Sequence, residues 1–229
     1  MREWQVGDPI GDGNDIGVPD TKYMAYLRND NENNQYKNSS SKDIVLSNQY
    51  RDEAWKLKGE DKFYDALSFI NAAIRYNPDD DRNWNIKGII LWNILKTNDI
   101  SVGSEAYECF NKALEIKPTD NIIKNNKIGF LLQWGVNLFG VQEYDQAMIR
   151  ANELLSIIED KTSKYYADAL TLKASILMLT GNFNESMKYF DKSLEVNPLD
   201  IPTRELKLEL IRKMADYYDE DLFPYDAQY

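Results

Sequence analysis

The chain has 229 residues, 43% of them hydrophobic, with a net charge of −11 and no histidine. This length and composition can bury a core, which excludes a disordered protein. The lack of histidine excludes Ser-His-Asp and Cys-His catalytic systems and histidine-containing zinc sites built from this chain alone. Neither Gly-x-x-x-x-Gly-Lys nor Gly-x-Gly-x-x-Gly occurs, so we expect no enzyme, no cofactor and no metal.

The charge distribution limits the classes of partner. The last 15 residues carry five acidic and no basic side chains, and no Lys/Arg cluster offers a phosphate-binding surface, so nucleic acid is not an expected partner. No signal pattern and no apolar stretch of about 18 residues is present, so no membrane contact is expected. Cys109 is the single cysteine, which agrees with a reducing, cytoplasmic location.

The N-terminal part is predicted to lie outside the main fold. Residues 1–27 form a nonrepeating segment, and glycine and aspartate in its 7–20 stretch predict loop. Residues 11–17 are similar to half of a calcium-binding glycine-aspartate repeat, but one copy supplies too few of the six to eight oxygens that calcium needs. A turn-rich loop is the simpler interpretation. The Asn- and Ser-rich residues 28–46 are predicted to be a flexible linker.

One pattern then recurs four times. A turn leads into a helix that opens on a small residue and ends about twelve positions later at a proline or an acidic pair, in residues 63–78, 103–118, 144–160 and 181–198. A large-small-large spacing precedes each copy, in Tyr50-Ala54-Leu57, Trp84-Gly88-Leu91, Leu131-Gly135-Leu138 and Leu170-Ala174-Leu177. Such a period indicates stacked helical hairpins.

This pattern resembles the tetratricopeptide repeat. The resemblance implies an all-α, right-handed superhelix of about four hairpins over residues 47–200, with a capping helix at 201–216 and an acidic, aromatic tail at 217–229. Two departures from the family spacing are evident. About six extra residues at 97–102 are predicted to form a loop, and the first helix of repeat three is expected to be long because it can start near Thr119.

The resemblance also implies a binding site. In this family the first helix of each repeat lines the concave side, and the function it implies is a noncatalytic scaffold or adaptor that binds a protein or peptide. The residues transferred to that groove are Arg51, Trp55, Arg82, Asn85, Ile86, Ile89, Trp92, Leu132, Gln133, Val136, Phe139, Leu172, Met178 and Leu179. Many are apolar, which favours a hydrophobic or helical ligand over one gripped by its terminal carboxylate.

Three further hypotheses concern occupation of the groove by the chain itself, self-association and catalysis. The segment 1–27 is apolar enough to fold back and occupy part of the groove itself. A self-associating protein, and hence a homo-oligomer, would use the end helix or tail against a second copy. A carbohydrate-active enzyme would need paired carboxylates, but Asp79–Asp81 directly follows Pro78 and precedes Trp84, where helix capping explains it.

Overall fold

The computed structural model describes residues 40–97 and 99–222, with side chains as far as Tyr217. In this part of the chain all regular structure is helical. The α-helices are α1 (Ser41–Gly59), α2 (Phe63–Tyr76), α3 (Asp81–Leu95), α4 (Gly103–Ile116), α5 (Asn121–Gly140), α6 (Tyr144–Ile157), α7 (Lys164–Leu179), α8 (Phe183–Val196) and α9 (Ile201–Leu222).

Consecutive helices pair into four antiparallel hairpins, α1/α2, α3/α4, α5/α6 and α7/α8, and α9 packs on α8 and α7. The first helices of successive hairpins also contact one another, so α1, α3, α5, α7 and α9 form a continuous inner row. The result is the expected all-α, right-handed superhelix with a terminal helix. The predicted fold class is confirmed.

A shared turn closes three of the hairpins. One residue in each turn has a positive φ, 59° at Asp61, 66° at Gln142 and 79° at Gly181. The next amide then donates to a carbonyl five residues back, as Asn182 N does to Leu177 O at 2.8 Å. This left-handed cap ends the first helix and starts the second within a few residues.

Polar side chains start the inner helices. Asp80, Asp120, Ser163 and Asp200 each accept a hydrogen bond from a first-turn backbone N–H, at 3.0, 2.8, 3.3 and 3.0 Å respectively. These bonds satisfy amides that have no partner inside the helix. Because a proline precedes three of these caps by two residues, the preceding helix cannot continue and the chain turns back.

Small residues let the paired helices cross closely. A Cβ added at Gly88 would lie 2.9 to 3.0 Å from three ring atoms of Phe110, so the Phe110 ring fills the space that a side chain would need. Ser186 plays a similar part in the last hairpin, where its hydroxyl donates to Ala174 O at 2.7 Å. The predicted small residues at helix crossings are thus buried in the core.

The ends and the insertion differ in detail from the expected boundaries. Helix α1 starts at Ser41, so the last residues of the expected 28–46 linker are helical, with Asp43 in the favourable first turn. The insertion contains a short 3₁₀ helix, Ile100–Val102, and α9 extends to Leu222. The long first helix of repeat three is confirmed by the 20 residues of α5. Residues 1–39 and 223–229, with the expected segment 1–27, lie outside the described residues.

Candidate functional site

A concave cavity of about 420 Å³ lies between α5, α7 and the start of α9. Its lining defines what we call the α5–α7 groove: Leu132, Val136, Phe139, Lys164, Asp168, Thr171, Leu172, Ser175, Asp200, Pro202 and Thr203. Four of these residues belong to the predicted set, namely Leu132, Val136, Phe139 and Leu172. The inner helices therefore bring part of the predicted site together.

The floor of the groove is apolar. Val136 is 45% exposed, whereas Leu132 and Phe139 are half-buried and pack against the main core. Phe139 rests on Tyr144, with ring centroids 5.8 Å apart. Leu172 is buried against the backbone of Gly135. Leu132, Phe139 and Leu172 are therefore held by neighbouring core residues, and Val136 offers the most accessible apolar surface in the floor.

The rim of the groove is polar, and its groups are already engaged with one another. Lys164 Nζ lies 2.6 Å from Asp168 Oδ2, and the hydrogen bond that Lys164 donates to this carboxylate raises the pKa of Lys164. Asp200 accepts the capping bond from Thr203 N, and Thr171 Oγ1 lies 2.9 Å from Thr203 Oγ1. Two carboxylates face one ammonium, so the rim carries a net negative charge.

The paired-carboxylate chemistry of a hydrolase finds no support in this rim. Asp168 is paired with Lys164, and Asp200 caps α9.

In the described residues no group of three His, Cys, Asp or Glu side chains is placed to hold a metal ion. Cys109 is buried, and desolvation raises the pKa of its thiol to about 12, so the thiolate nucleophile is not populated at neutral pH. None of the described helices could span a membrane.

The predicted polar groove residues Arg51, Arg82 and Asn85 belong to a structural cluster between α1, α3 and α5. Asp80 accepts hydrogen bonds from Arg51 Nη1 at 2.9 Å and from Arg82 Nη2 at 2.6 Å, besides capping α3. Asn85 is held by Asn126 at 3.1 Å. Lys87, two residues after Asn85, pairs with Glu105. These side chains hold neighbouring helices together, and their polar groups already have partners.

Replacing Asp80 with alanine should lower the free energy of unfolding by about 1 to 2 kcal/mol, because it removes the α3 cap and deprives the mostly buried Arg51 of its carboxylate partner. Burial raises the pKa of Asp80, but the Arg82 hydrogen bonds and the Arg51 charge outweigh it, so the pKa lies below 3.8. Its stabilising effect is therefore present above about pH 4 and is lost as pH falls through the lower folded-state value.

Urea unfolding from neutral to acid pH measures this effect. In the wild type, stability should fall in the acid range, and Asp80→Asn, which can still cap the helix, should show a flatter profile there. The exposed Asp145→Asn variant is the control and should follow the wild type. An Asp80→Asn profile as steep as that of the wild type would show that the Asp80 charge contributes nothing to the acid sensitivity.

Several remaining predicted residues are not free groove contacts. Ile86, Ile89 and Trp92 are partly buried against the core. The Trp92 ring fills the space over Gly129, where an added Cβ would lie 2.6 Å from it, while Lys96 Nζ covers the ring at 4.4 Å from its centroid. Trp92 therefore packs α3 against α5, and its substitution would test folding together with binding.

Four other predicted residues lie outside the groove lining, and two of them line a second cavity. Trp55 is exposed beside Lys58, and Gln133 donates to Asn137 at 2.8 Å. Met178 and Leu179 line a cavity of about 330 Å³ between the end of α7, the start of α8 and α9. Met178 is itself buried with Phe190 and Leu210. Leu172 and Met178 both lie on α7 and are buried, because neighbouring helices cover them.

The start of α9 also lines the groove. Asp200, Pro202 and Thr203 at this end, together with Lys164 of α7, line the cavity but do not belong to the predicted set. A signal for one of them is present in the sequence, since Pro202 follows the groove residue Asp168 by 34 positions, the usual length of one repeat. Helix α9 therefore extends the inner row as the first helix of a further repeat would.

The comparisons with known proteins agree with this architecture. Residues 167–198 match the model of the tetratricopeptide repeat family, whereas no curated protein matches the sequence. A double mutant of MamA from RS-1 superposes with a TM-score of 0.54 and 16% identity, covering 77% of this chain and 87% of that one. MamA residues 41 to the end from Desulfovibrio magneticus RS-1 superpose with a TM-score of 0.53 and 15% identity, covering 83% of this chain and 100% of that one.

A third structure, MamA from AMB-1, gives a TM-score of 0.52 with 15% identity over 76% of this chain and 86% of that chain. At such identities the likeness shows the fold. The repeat-family match falls on the fourth hairpin, α7/α8, and three further hairpins of the same form precede it. The chain therefore contains a tetratricopeptide repeat at residues 167–198, within an all-α superhelix of four hairpins of the same form.

Proposed function

We propose that the protein is a noncatalytic scaffold that holds a peptide segment of a partner protein in the α5–α7 groove. The observation that carries the proposal is an accessible apolar floor around Val136 inside a concave cavity of about 420 Å³. The fold is that of protein-interaction modules. Pockets of this size with an apolar floor and a few polar groups suit ligand binding.

The rim indicates the chemistry of the ligand. The floor accepts an apolar side chain, since Leu132, Val136 and Phe139 present no polar atoms there. Asp168 and Asp200 outnumber Lys164 at the rim, so a lysine or arginine beside the apolar residue would complement the local charge. We therefore expect a peptide with an apolar anchor flanked by a basic residue.

Replacing Val136 with aspartate should weaken peptide binding at least about tenfold, because the variant places a charge where the apolar anchor would be desolvated. The ligands would be selected from a random peptide library displayed on phage against the full chain, and their affinities measured by fluorescence anisotropy. Since Val136 is 45% exposed, the free energy of unfolding of the variant should lie within about 0.5 kcal/mol of the wild-type value.

Ile149→Asp is the matched control, because Ile149 is 48% exposed on α6 and lies outside the groove lining. Selected peptides should bind this variant as they bind the wild type. Peptides that bind Val136→Asp and the wild type equally would contradict the groove assignment.

Residues 1–27 lie outside the described residues, so their occupation of part of the groove stays a prediction. If they compete with the peptide, deletion of residues 1–30 should tighten peptide binding.

A further inference from the structure

Helix α9 has two apolar faces, and only one of them has a partner in the described residues. The inner face carries Leu206, Leu210 and Met214, which pack with Phe190 in the second core cluster. Lys207 Nζ also pairs with Asp191 of α8 at 2.5 Å. These contacts hold α9 on the array and fix the direction of its opposite face.

The opposite face is unexpectedly apolar for the end of a repeat array. Ile201, Leu208 and Ile211 are 64%, 54% and 46% exposed, and Ala215 is exposed on the same side. The spacing of Ile201, Leu208, Ile211 and Ala215 is that of the a and d positions of a heptad repeat. Since a terminal helix needs a polar outer face for solubility, this stripe fits a helix that is covered by another helix.

Two charged side chains flank the stripe. Glu205 and Arg212 are both exposed and occupy the same heptad position, one beside each end of the Leu208–Ile211 pair. Seven residues separate them, which is about 10.5 Å along the helix and too far for an ion pair within α9. Neither has an ion-pair partner among the described residues. Each therefore remains available to a group of opposite charge on another helix.

We propose that two copies of the chain associate through this face, with their α9 helices antiparallel about a two-fold axis. In that register Leu208 of one copy packs on Ile211 of the other, and Glu205 of each copy lies beside Arg212 of its mate. The symmetry doubles both contacts. In a parallel pair Glu205 of one copy and Arg212 of the other would stay about 10.5 Å apart along the helix axis, so only the antiparallel arrangement brings these opposite charges together.

The proposal is independent of the α5–α7 groove, because the stripe lies on the side of α9 opposite its packed face. One helix from each copy buries less than a standard interface of about 1,600 Å². The dimer is therefore expected to be weak, with dissociation in the micromolar range. Such an association leaves the groove of each copy open to its own peptide.

Sedimentation equilibrium of the full chain across low to high micromolar concentrations tests the proposal. The mean mass should rise from 26.6 kDa toward twice that value. Leu208→Glu should weaken dimerisation at least about tenfold because it places a charge in the apolar stripe of both copies. The control Ile149→Glu changes an equally exposed apolar residue on α6 and should leave the dissociation constant unchanged.

A charge swap tests the register. Glu205→Arg and Arg212→Glu should each weaken the dimer about fivefold, because each creates two like-charge pairs. The double variant restores both opposite-charge pairs and should regain the wild-type dissociation constant, while circular dichroism confirms that every variant is folded. Failure of the double variant to recover would overturn the antiparallel register.

Two other results would contradict the assignment of this α9 face as a dimer interface. One is a full chain that stays monomeric at every concentration. This includes the case in which removal of residues 223–229 creates a dimer, because the chain's own C-terminal segment would then be the occupant. The other is a dimer that Leu208→Glu does not weaken.

Discussion

Replacing Phe110 with alanine should lower the free energy of unfolding by about 3 to 5 kcal/mol. Phe110 is fully buried at the crossing of α3 and α4, where its ring meets Gly88 and lies 5.3 Å from the Phe130 ring, centroid to centroid. Truncation removes apolar contacts with two successive hairpins and leaves a cavity between helices that cannot fully collapse. Because domains have only about 5 to 15 kcal/mol of stability, the loss is a large share.

Chemical unfolding followed by circular dichroism measures this loss. Tyr64→Ala is the control, since Tyr64 is 67% exposed on α2 and its truncation should change stability by no more than about 0.5 kcal/mol. A loss below about 1 kcal/mol for Phe110→Ala would show that α3 and α4 can close the gap.

A double-mutant cycle tests the specific contact. Gly88→Ala alone should cost about 1 to 3 kcal/mol, because the added methyl group meets the Phe110 ring at 2.9 Å. In the Phe110→Ala background the ring is absent, and the same methyl group should cost far less or fill part of the cavity. Additive effects would mean that Gly88 and Phe110 do not share this space.

Deleting residues 201–229 should convert the protein into an aggregating species. Helix α9 supplies Leu210, which is fully buried against Ala174, Met178 and Phe190. Without α9 this cluster becomes an exposed apolar end on the last hairpin, and stacked repeats require such ends to be covered. The loss of α9 also removes Asp200's neighbour Thr203 and one wall of the α5–α7 groove.

Light scattering and thermal unfolding of the truncated chain provide the measurement. We expect high-mass particles and a broad, weakly cooperative transition in place of a sharp one. The control deletes only residues 223–229, which leaves all the described residues in place, and it should stay soluble and cooperative. A truncated chain that remains monodisperse and unfolds sharply would show that α9 is dispensable to the core.

The interactions that were predictable from the sequence are local ones. The hairpin pattern depends on small residues such as Gly88 and Ser186 at fixed offsets, on prolines that stop helices, and on cap residues such as Asp80 and Asp120. Each acts through its own backbone or through a neighbour a few residues away. The all-α class, the four hairpins, the long α5 and the terminal helix could therefore be recognised before any contact was known.

The composition of the site was predictable only in part. The family resemblance indicates which side of α5 and α7 faces inward, and four residues of the predicted set, Leu132, Val136, Phe139 and Leu172, line the cavity. The same reasoning treats every repeat alike. It could not show that the cavity forms between α5, α7 and α9 in particular, with Lys164 and Asp200 at its rim.

By itself, the sequence determined the number, order and pairing of the helices, because turns, caps and small residues act over short distances along the chain. The tertiary structure alone decided how closely the inner helices approach. At Gly129 the missing side chain admits the Trp92 ring, so Trp92 joins the packing of α3 on α5. At Val136 the neighbouring helices leave the side chain open. Exposure depends on the packing of residues distant in the chain, which no single helix pattern encodes.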